Sequence, residues 1–107
     1  MNARLEANGR YILNASGEPE PCPSLRTWAE WFEQEAHRRV ADDIAGRVRI
    51  STVFLGLDHA IGNGPPLLYE TMIFGGPHDE YQERYTSKAD ALTGHAKAVA
   101  LVQGTKS

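Results

Sequence analysis

Four short segments that alternate apolar with other residues, bounded by glycine- and proline-bearing turns, predict an α+β fold: an antiparallel sheet of about four strands. Two further segments with apolar residues at three- and four-residue spacing add two helices packed on that sheet. The expected order is a short strand, a helix, four strands and a helix. A length of 107 residues suits one domain spanning 1–107 with a single core.

Tyr11-Ile12-Leu13 is a short apolar run ended by Asn14-Ala15-Ser16-Gly17, which reads as an edge strand and a turn. Residues 1–23 are otherwise partly irregular. Within them, Glu18-Pro19-Glu20-Pro21-Cys22-Pro23 places proline at every second position, which blocks helix and predicts a stiff connector over 18–23. The first helix is expected to start at Ser24 or at Thr27, the latter with Glu30 in a capping box. Leu25, Trp28, Ala29, Phe32 and Ala36 form its core stripe, with Trp31 at the stripe's edge. His37, Arg38 and Arg39 close this helix and complement the negative end of its dipole.

Arg39 to Ile44 is a strand, Ala45-Gly46 a turn, and Arg47 to Gly56 the clearest strand of the chain. Val48, Ile50, Thr52 and Phe54 share one of its faces. The other face, Arg47, Arg49, Ser51, Val53 and Leu55, starts polar and ends apolar, as if covered over half its length. A long Gly/Pro-rich loop, 57–66, precedes a strand from Leu67 to Phe74 that is apolar on both faces apart from Glu70, and so belongs in the middle of the sheet. Gly75 to Asp79 is a turn, and Glu80 to Thr86 a strand with Gln82 and Arg84 facing water. Ser87 opens the last helix, whose stripe is Leu92, His95, Ala96, Val99 and Val102.

Composition narrows the function classes. A net charge of −3 and a pI near 5.7 argue against non-specific nucleic-acid binding. The apolar runs are far shorter than the roughly 20 residues of a membrane span, and no secretory signal is visible at the start. A cytoplasmic location is expected. The single cysteine, Cys22, forms no internal disulfide and has no histidine beside it.

An up-and-down meander would gather the 57–66 loop, the basic residues at 37–39 and the start of the last helix at one end of the sheet. His37, Arg38, Arg39, Asp58, His59, Asn63 and Ser87 are therefore the candidate binding residues for an anion such as a nucleotide or phosphate. The same meander puts His59 and His78 far apart. A metal reading would start from Asp58 and His59, with Glu70 and His95 as further ligands, but no compact ligand spacing supports it, and no metal or cofactor is expected. Neither a nucleophile elbow nor a phosphate loop is present, so nothing in the sequence specifies catalysis.

The stretches Arg49-Ile50-Ser51-Thr52-Val53-Phe54-Leu55-Gly56-Leu57-Asp58-His59 and Pro65-Pro66-Leu67-Leu68-Tyr69-Glu70-Thr71-Met72-Ile73-Phe74-Gly75-Gly76, with Tyr85-Thr86-Ser87 and Gly94-His95, resemble a group of small bacteriophage and prophage proteins. The resemblance carries over no residue roles. It implies a phage-borne accessory protein acting in the bacterial host cytoplasm, either by blocking a host protein, including components of CRISPR or other defence systems, or by sequestering a small molecule.

Three expectations follow, in order of preference. The first is stoichiometric binding of a host bacterial protein through an exposed aromatic or apolar patch, with Trp31 and Tyr81 as first suspects. The second is sequestration of a nucleotide or other anion by His37, Arg38, Arg39 and the 57–66 loop. The third is metal-dependent hydrolysis at Asp58 and His59. A homodimer is also compatible with a free sheet edge and a half-apolar second face.

Overall fold

The computed structural model describes residues 7–60, 62 and 64–104. A hairpin of β1 (Tyr11–Leu13) and β2 (Pro19–Pro21) opens the fold and leads into α1 (Leu25–Phe32) and the single turn α2 (Glu35–Arg38). Then come β3 (Arg39–Ala45), β4 (Val48–Phe54), β5 (Tyr69–Phe74), β6 (Gln82–Tyr85) and α3 (Lys88–Gly104). The four later strands form one antiparallel meander in the order β3-β4-β5-β6, which is the expected α+β arrangement with β5 inside the sheet.

The segment 18–23 is not a connector: Pro19–Pro21 is a strand paired with Tyr11–Leu13. The physical reason lies in the ladder. Hydrogen bonds run from Cys22 N–H to the Arg10 carbonyl and from Asn14 N–H to the Glu18 carbonyl, at 2.9 Å each. Bonded and non-bonded pairs alternate along an antiparallel ladder, so Pro19 and Pro21 occupy the non-bonded positions. Proline at every second residue therefore removes only N–H groups that the ladder does not use.

Two clusters make the core, both on one face of the sheet. Phe54, Tyr69 and Leu68 pack with Tyr11 and Ala91 at one end, and Ile50 and Ile73 pack with Ala98 and Val102 at the other. The register pairs Ile50 with Ile73, Thr52 with Thr71 and Phe54 with Tyr69, so these six side chains share the inner face. A β-bulge between Arg39 and Ala41 inserts Val40, which turns inward against the Phe54 cluster. Helix α3 lies across all four strands of this face.

Helix α3 presents a different stripe from the one that periodicity suggests. Ala91, Gly94, His95, Ala98 and Val102 are buried, whereas Leu92 is 45% exposed and Ala96 points to water. Close approach to the sheet selects small residues: a Cβ on Gly94 would overlap the hydroxyl and ring of Tyr85. The expected core stripe of the first helix fails as well. Leu25 is 62% exposed and Ala36 is exposed, while Trp28, Ala29 and Phe32 are half-buried. The helix stops after Phe32 and the chain restarts as α2, so the five residues never share one face. Ser24, not Thr27, is the N-cap: its Oγ accepts the Thr27 N–H at 3.1 Å.

Gly56, at φ +76, joins the sheet to these elements. Its carbonyl accepts the Tyr11 N–H at 2.8 Å and the Trp28 indole N–H at 2.9 Å, tying the hairpin and α1 to the end of β4. Phe32 atoms about 3.0 Å from where a Cβ would stand leave no room for a side chain there. No helix among the described residues is long and apolar enough to cross a membrane.

Candidate functional site

The basic residues 37–39 fold back onto the helix that precedes them. Gln34 leaves the helical region at φ −85° and ψ 99°, and the following turn carries His37 and Arg38 over the end of α1. His37 stacks on Trp31 with ring centroids 5.1 Å apart, and its Nδ1 lies 3.0 Å from the Trp31 carbonyl. A carbonyl only accepts, so Nδ1 carries the proton. Arg38 donates Nε–H to the Phe32 carbonyl at 3.1 Å while its guanidinium sits 4.2 Å above the Phe32 ring. Arg39 is 3.5 Å from Glu35. His37 and Arg38 thus satisfy orphan carbonyls at the negative dipole end of α1, while Arg39 pairs with Glu35.

The other residues expected at an anion site are dispersed. Asp58 latches its own loop: Oδ1 accepts the N–H groups of Ala60 at 2.8 Å and Leu67 at 3.0 Å. His59 is exposed, and its N–H donates to the Leu67 carbonyl. Asn63 lies outside the described residues. Ser87 caps α3, its Oγ accepting the Asp90 N–H at 3.1 Å. Arg39 begins one edge strand and Ser87 follows the other, three strand spacings or about 14 Å apart. His59 and His78 sit at opposite ends of β5, as the meander requires.

The sheet itself separates two of the four groups named for a metal. Glu70 pairs with Val53 and Arg84 on the outer face, where Arg84 Nε–H and Gln82 Nε2–H reach its Oε2 at 2.9 and 2.6 Å. His95 lies under α3 on the inner face. No group of three or more His, Cys, Asp or Glu side chains suited to a metal stands together among the described residues.

His95 takes part in an arrangement that the sequence did not reveal. It bonds no backbone carbonyl but joins two side chains: Nε2 lies 2.7 Å from Asp43 Oδ2 and Nδ1 2.7 Å from Thr52 Oγ1, which is in turn 2.5 Å from Thr71 Oγ1. With the imidazole neutral, one direction of donation satisfies the whole chain. The carboxylate accepts from Nε2–H, the bare Nδ1 accepts from Thr52, and Thr52 accepts from Thr71. Carboxylate, imidazole and hydroxyl stand in the order of a nucleophilic triad, but Thr52 and Thr71 are 0% exposed, so no substrate reaches the hydroxyl. The chain instead clamps β3, β4, β5 and α3 together. Thr52 and His95 were visible as polar residues at core-facing positions; the pairing of His95 with the exposed Asp43 spans 52 positions of sequence.

The outer face has no helix packed on it among the described elements. Its cross-strand rows are Ile44-Arg49-Phe74, Asp42-Ser51-Met72-Gln82 and Arg39-Val53-Glu70-Arg84. Ile44 is 76% and Phe74 44% exposed, on either side of Arg49. The Arg49 fork grips both oxygens of Asp42 at 3.0 Å, and this hydrogen bonding holds the Asp42 carboxyl below its ordinary value of 3.8. Charge on this face is therefore neutralised within the sheet plane. Trp31 and Tyr81 lie elsewhere. Trp31 is half-buried with its ring edge-on to Phe54 at 5.6 Å, and Tyr81 is half-buried against the Ile50 cluster at the opposite end of the inner face.

The outer side of β3 pairs with no described strand, and a groove of about 570 Å³ runs along it between Arg39, Val40, Asp42 and Ile44. Comparison with protein-family models, with curated proteins and with solved structures finds no match to this chain.

Proposed function

We propose that the chain works by binding a protein partner along the free edge of β3 and across the outer face of the sheet. The observation that carries this reading is the exposed pair Ile44 and Phe74, set in one row with Arg49 on a face whose charges are already paired. An apolar patch rimmed by in-plane ion pairs suits a protein surface, and the net charge of −3 disfavours nucleic acid. The face measures roughly 14 by 20 Å from strand spacing and rise. That is smaller than the ~800 Å² per partner of a standard interface, so the partner extends past it. The free edge and groove of β3 offer the continuation, with an extended segment adding as a fifth strand and placing alternate apolar side chains against Ile44.

The resemblance of residues 49–76 to phage and prophage proteins directs the search to a bacterial host protein, antiviral defence components included. Sequestration of an anion by His37, Arg38 and Arg39 has less support, because all three side chains are engaged within the protein.

The test compares capture from bacterial lysate by the native chain and by an Ile44→Asp/Phe74→Asp variant, with thermal melts of both. Both residues face water, so the variant should melt within a few degrees of the native chain. A partner held by the native chain and lost by the variant supports the reading. Equal capture by the two, or a native mass showing only a second copy of the chain on this face, overturns it.

A further inference from the structure

The chemistry that a partner must present at the β3 edge follows from the phase of the ladder. Leu55 N–H donates to the Leu68 carbonyl at 2.6 Å, so Leu55 and, by alternation, Val53, Ser51 and Arg49 hydrogen-bond toward β5. Ile50 and Thr52 therefore bond toward β3, where their register partners Asp43 and Ala41 use their own N–H and C=O groups. Asp42 and Ile44, opposite Ser51 and Arg49, are left with N–H and C=O directed away from the sheet. Two residues thus offer four backbone groups along the edge. The bulge between Arg39 and Ala41 ends this regular stretch on one side and the Gly46-Arg47 turn ends it on the other.

The side chains of the same stretch differ in what they lack. On the outer face the Asp42 carboxylate is gripped by Arg49, and Ile44 stands in water. Asp43 lies on the inner face with its side chain 59% exposed, and the only partner of its carboxylate among the described residues is the His95 ring, neutral in the hydrogen-bonded chain given above. The edge therefore carries one negative charge with no described cation beside it. A second copy of the chain does not supply that cation. The two-fold antiparallel register that uses Asp42 and Ile44 of both copies is centred on Asp43, and it sets two Asp43 carboxylates against each other in a close, non-bonded pair. Like charges directly opposite destabilise such a pairing.

Resting on the protein-binding reading above, we infer that the β3 edge takes one extended strand of a different protein, antiparallel to β3, with an apolar residue opposite Ile44 followed by lysine or arginine opposite Asp43. Main-chain hydrogen bonds to Asp42 and Ile44 hold the strand, and its alternate side chains select it. The cation lies on the inner side against Asp43, and the apolar residue continues the Ile44-Arg49-Phe74 row on the outer side. The groove of about 570 Å³ along this edge leaves room for the strand.

The test is amide-resolved NMR titration of the full chain with two blocked hexapeptides, Thr-Thr-Val-Lys-Thr-Thr and the same peptide with glutamate in place of lysine. Hydrogen exchange and melts accompany it, for the native chain and Asp43→Asn. The lysine peptide should bind saturably at millimolar concentration, about tenfold more tightly than the glutamate peptide, and should slow exchange of the Asp42 and Ile44 amides. Asp43→Asn keeps an oxygen that accepts the His95 Nε2–H, so it should melt as the native chain does and bind both peptides alike. The inference is overturned if the lysine peptide gives no saturable shift, if the native chain binds both peptides equally, if Asp43→Asn keeps the preference, or if bound peptide leaves the Asp42 and Ile44 amides exchanging as before. The Ile44→Asp/Phe74→Asp capture separates the two readings. Where that variant loses the lysate partner but the native chain shows no peptide preference, only the strand assignment falls; where the variant keeps the partner, the protein-binding reading falls.

Discussion

The two faces of the sheet carry similar numbers of polar side chains and treat them oppositely. On the inner face, under α3, Thr71, Thr52, His95 and Asp43 are linked in a single chain in which each buried polar atom has a named partner. On the outer face, Asp42 and Arg49 form a separate pair open to water, while Glu70, itself buried, is held by Arg84 and Gln82 of the neighbouring strand. Desolvation explains the difference. A buried hydroxyl or imidazole must be satisfied by the protein, so its partners are specified, whereas an exposed ion pair competes with water and contributes little beyond orientation.

The largest expected effect tests the inner face. His95→Ala removes a 95%-buried ring and strips Thr52 of its acceptor, and should cost roughly 2–4 kcal/mol in urea or thermal unfolding. If it costs no more than a surface substitution, the polar chain is not what joins α3 to the sheet. Next comes Gly94→Ala. The added methyl gains up to ~1 kcal/mol of helix propensity but collides with Tyr85, and the net result should be a destabilisation of about 1–2 kcal/mol. A stabilised variant would show that α3 can lift from the sheet at no cost.

The smallest effect belongs to the outer face and sharpens the contrast by its pH dependence. The Asp42 carboxyl is depressed in the folded state by Arg49, so the pair's contribution is present above the ordinary value of 3.8 and is lost as pH falls through the folded value. Arg49→Ala should move Tm only slightly at neutral pH, and the difference from the native chain should shrink as pH falls below 3.8 through the depressed folded value. A Tm loss comparable to that of His95→Ala, or one that persists in acid, would place the outer pairs on the same footing as the buried chain.

Much of the fold was legible because alternation and turn chemistry are local. The strands β4 to β6 fall within the segments that alternation marks, β3 runs one residue past its expected end to Ala45, and the both-sided apolarity of 67–74 correctly predicts β5 as an interior strand. Three features were misread for identifiable reasons. Pro19 and Pro21 look like strand breakers unless the ladder phase is known. Leu92 outranks Gly94 on any hydrophobic scale, yet Gly94 faces the sheet because Tyr85 needs the space. Leu25 to Ala36 has helical spacing, but the chain turns at Gln34. Of the candidate site, the basic residues 37–39 were visible, including the capping role of His37 and Arg38, while the arrangement of Asp43, Thr52, Thr71 and His95 was not.

Taken alone, the sequence determined the segments of the four main-sheet strands and of the long helix, their antiparallel meander, and the acidic balance that argues against nucleic acid, since each depends on nearest neighbours or on sums over the chain. Tertiary structure alone decided which face of the sheet α3 covers, hence which polar residues must find partners and which apolar ones, Ile44 and Phe74, stay in water. Those outcomes depend on distances between residues tens of positions apart, where packing volume and desolvation, rather than local preference, select the arrangement.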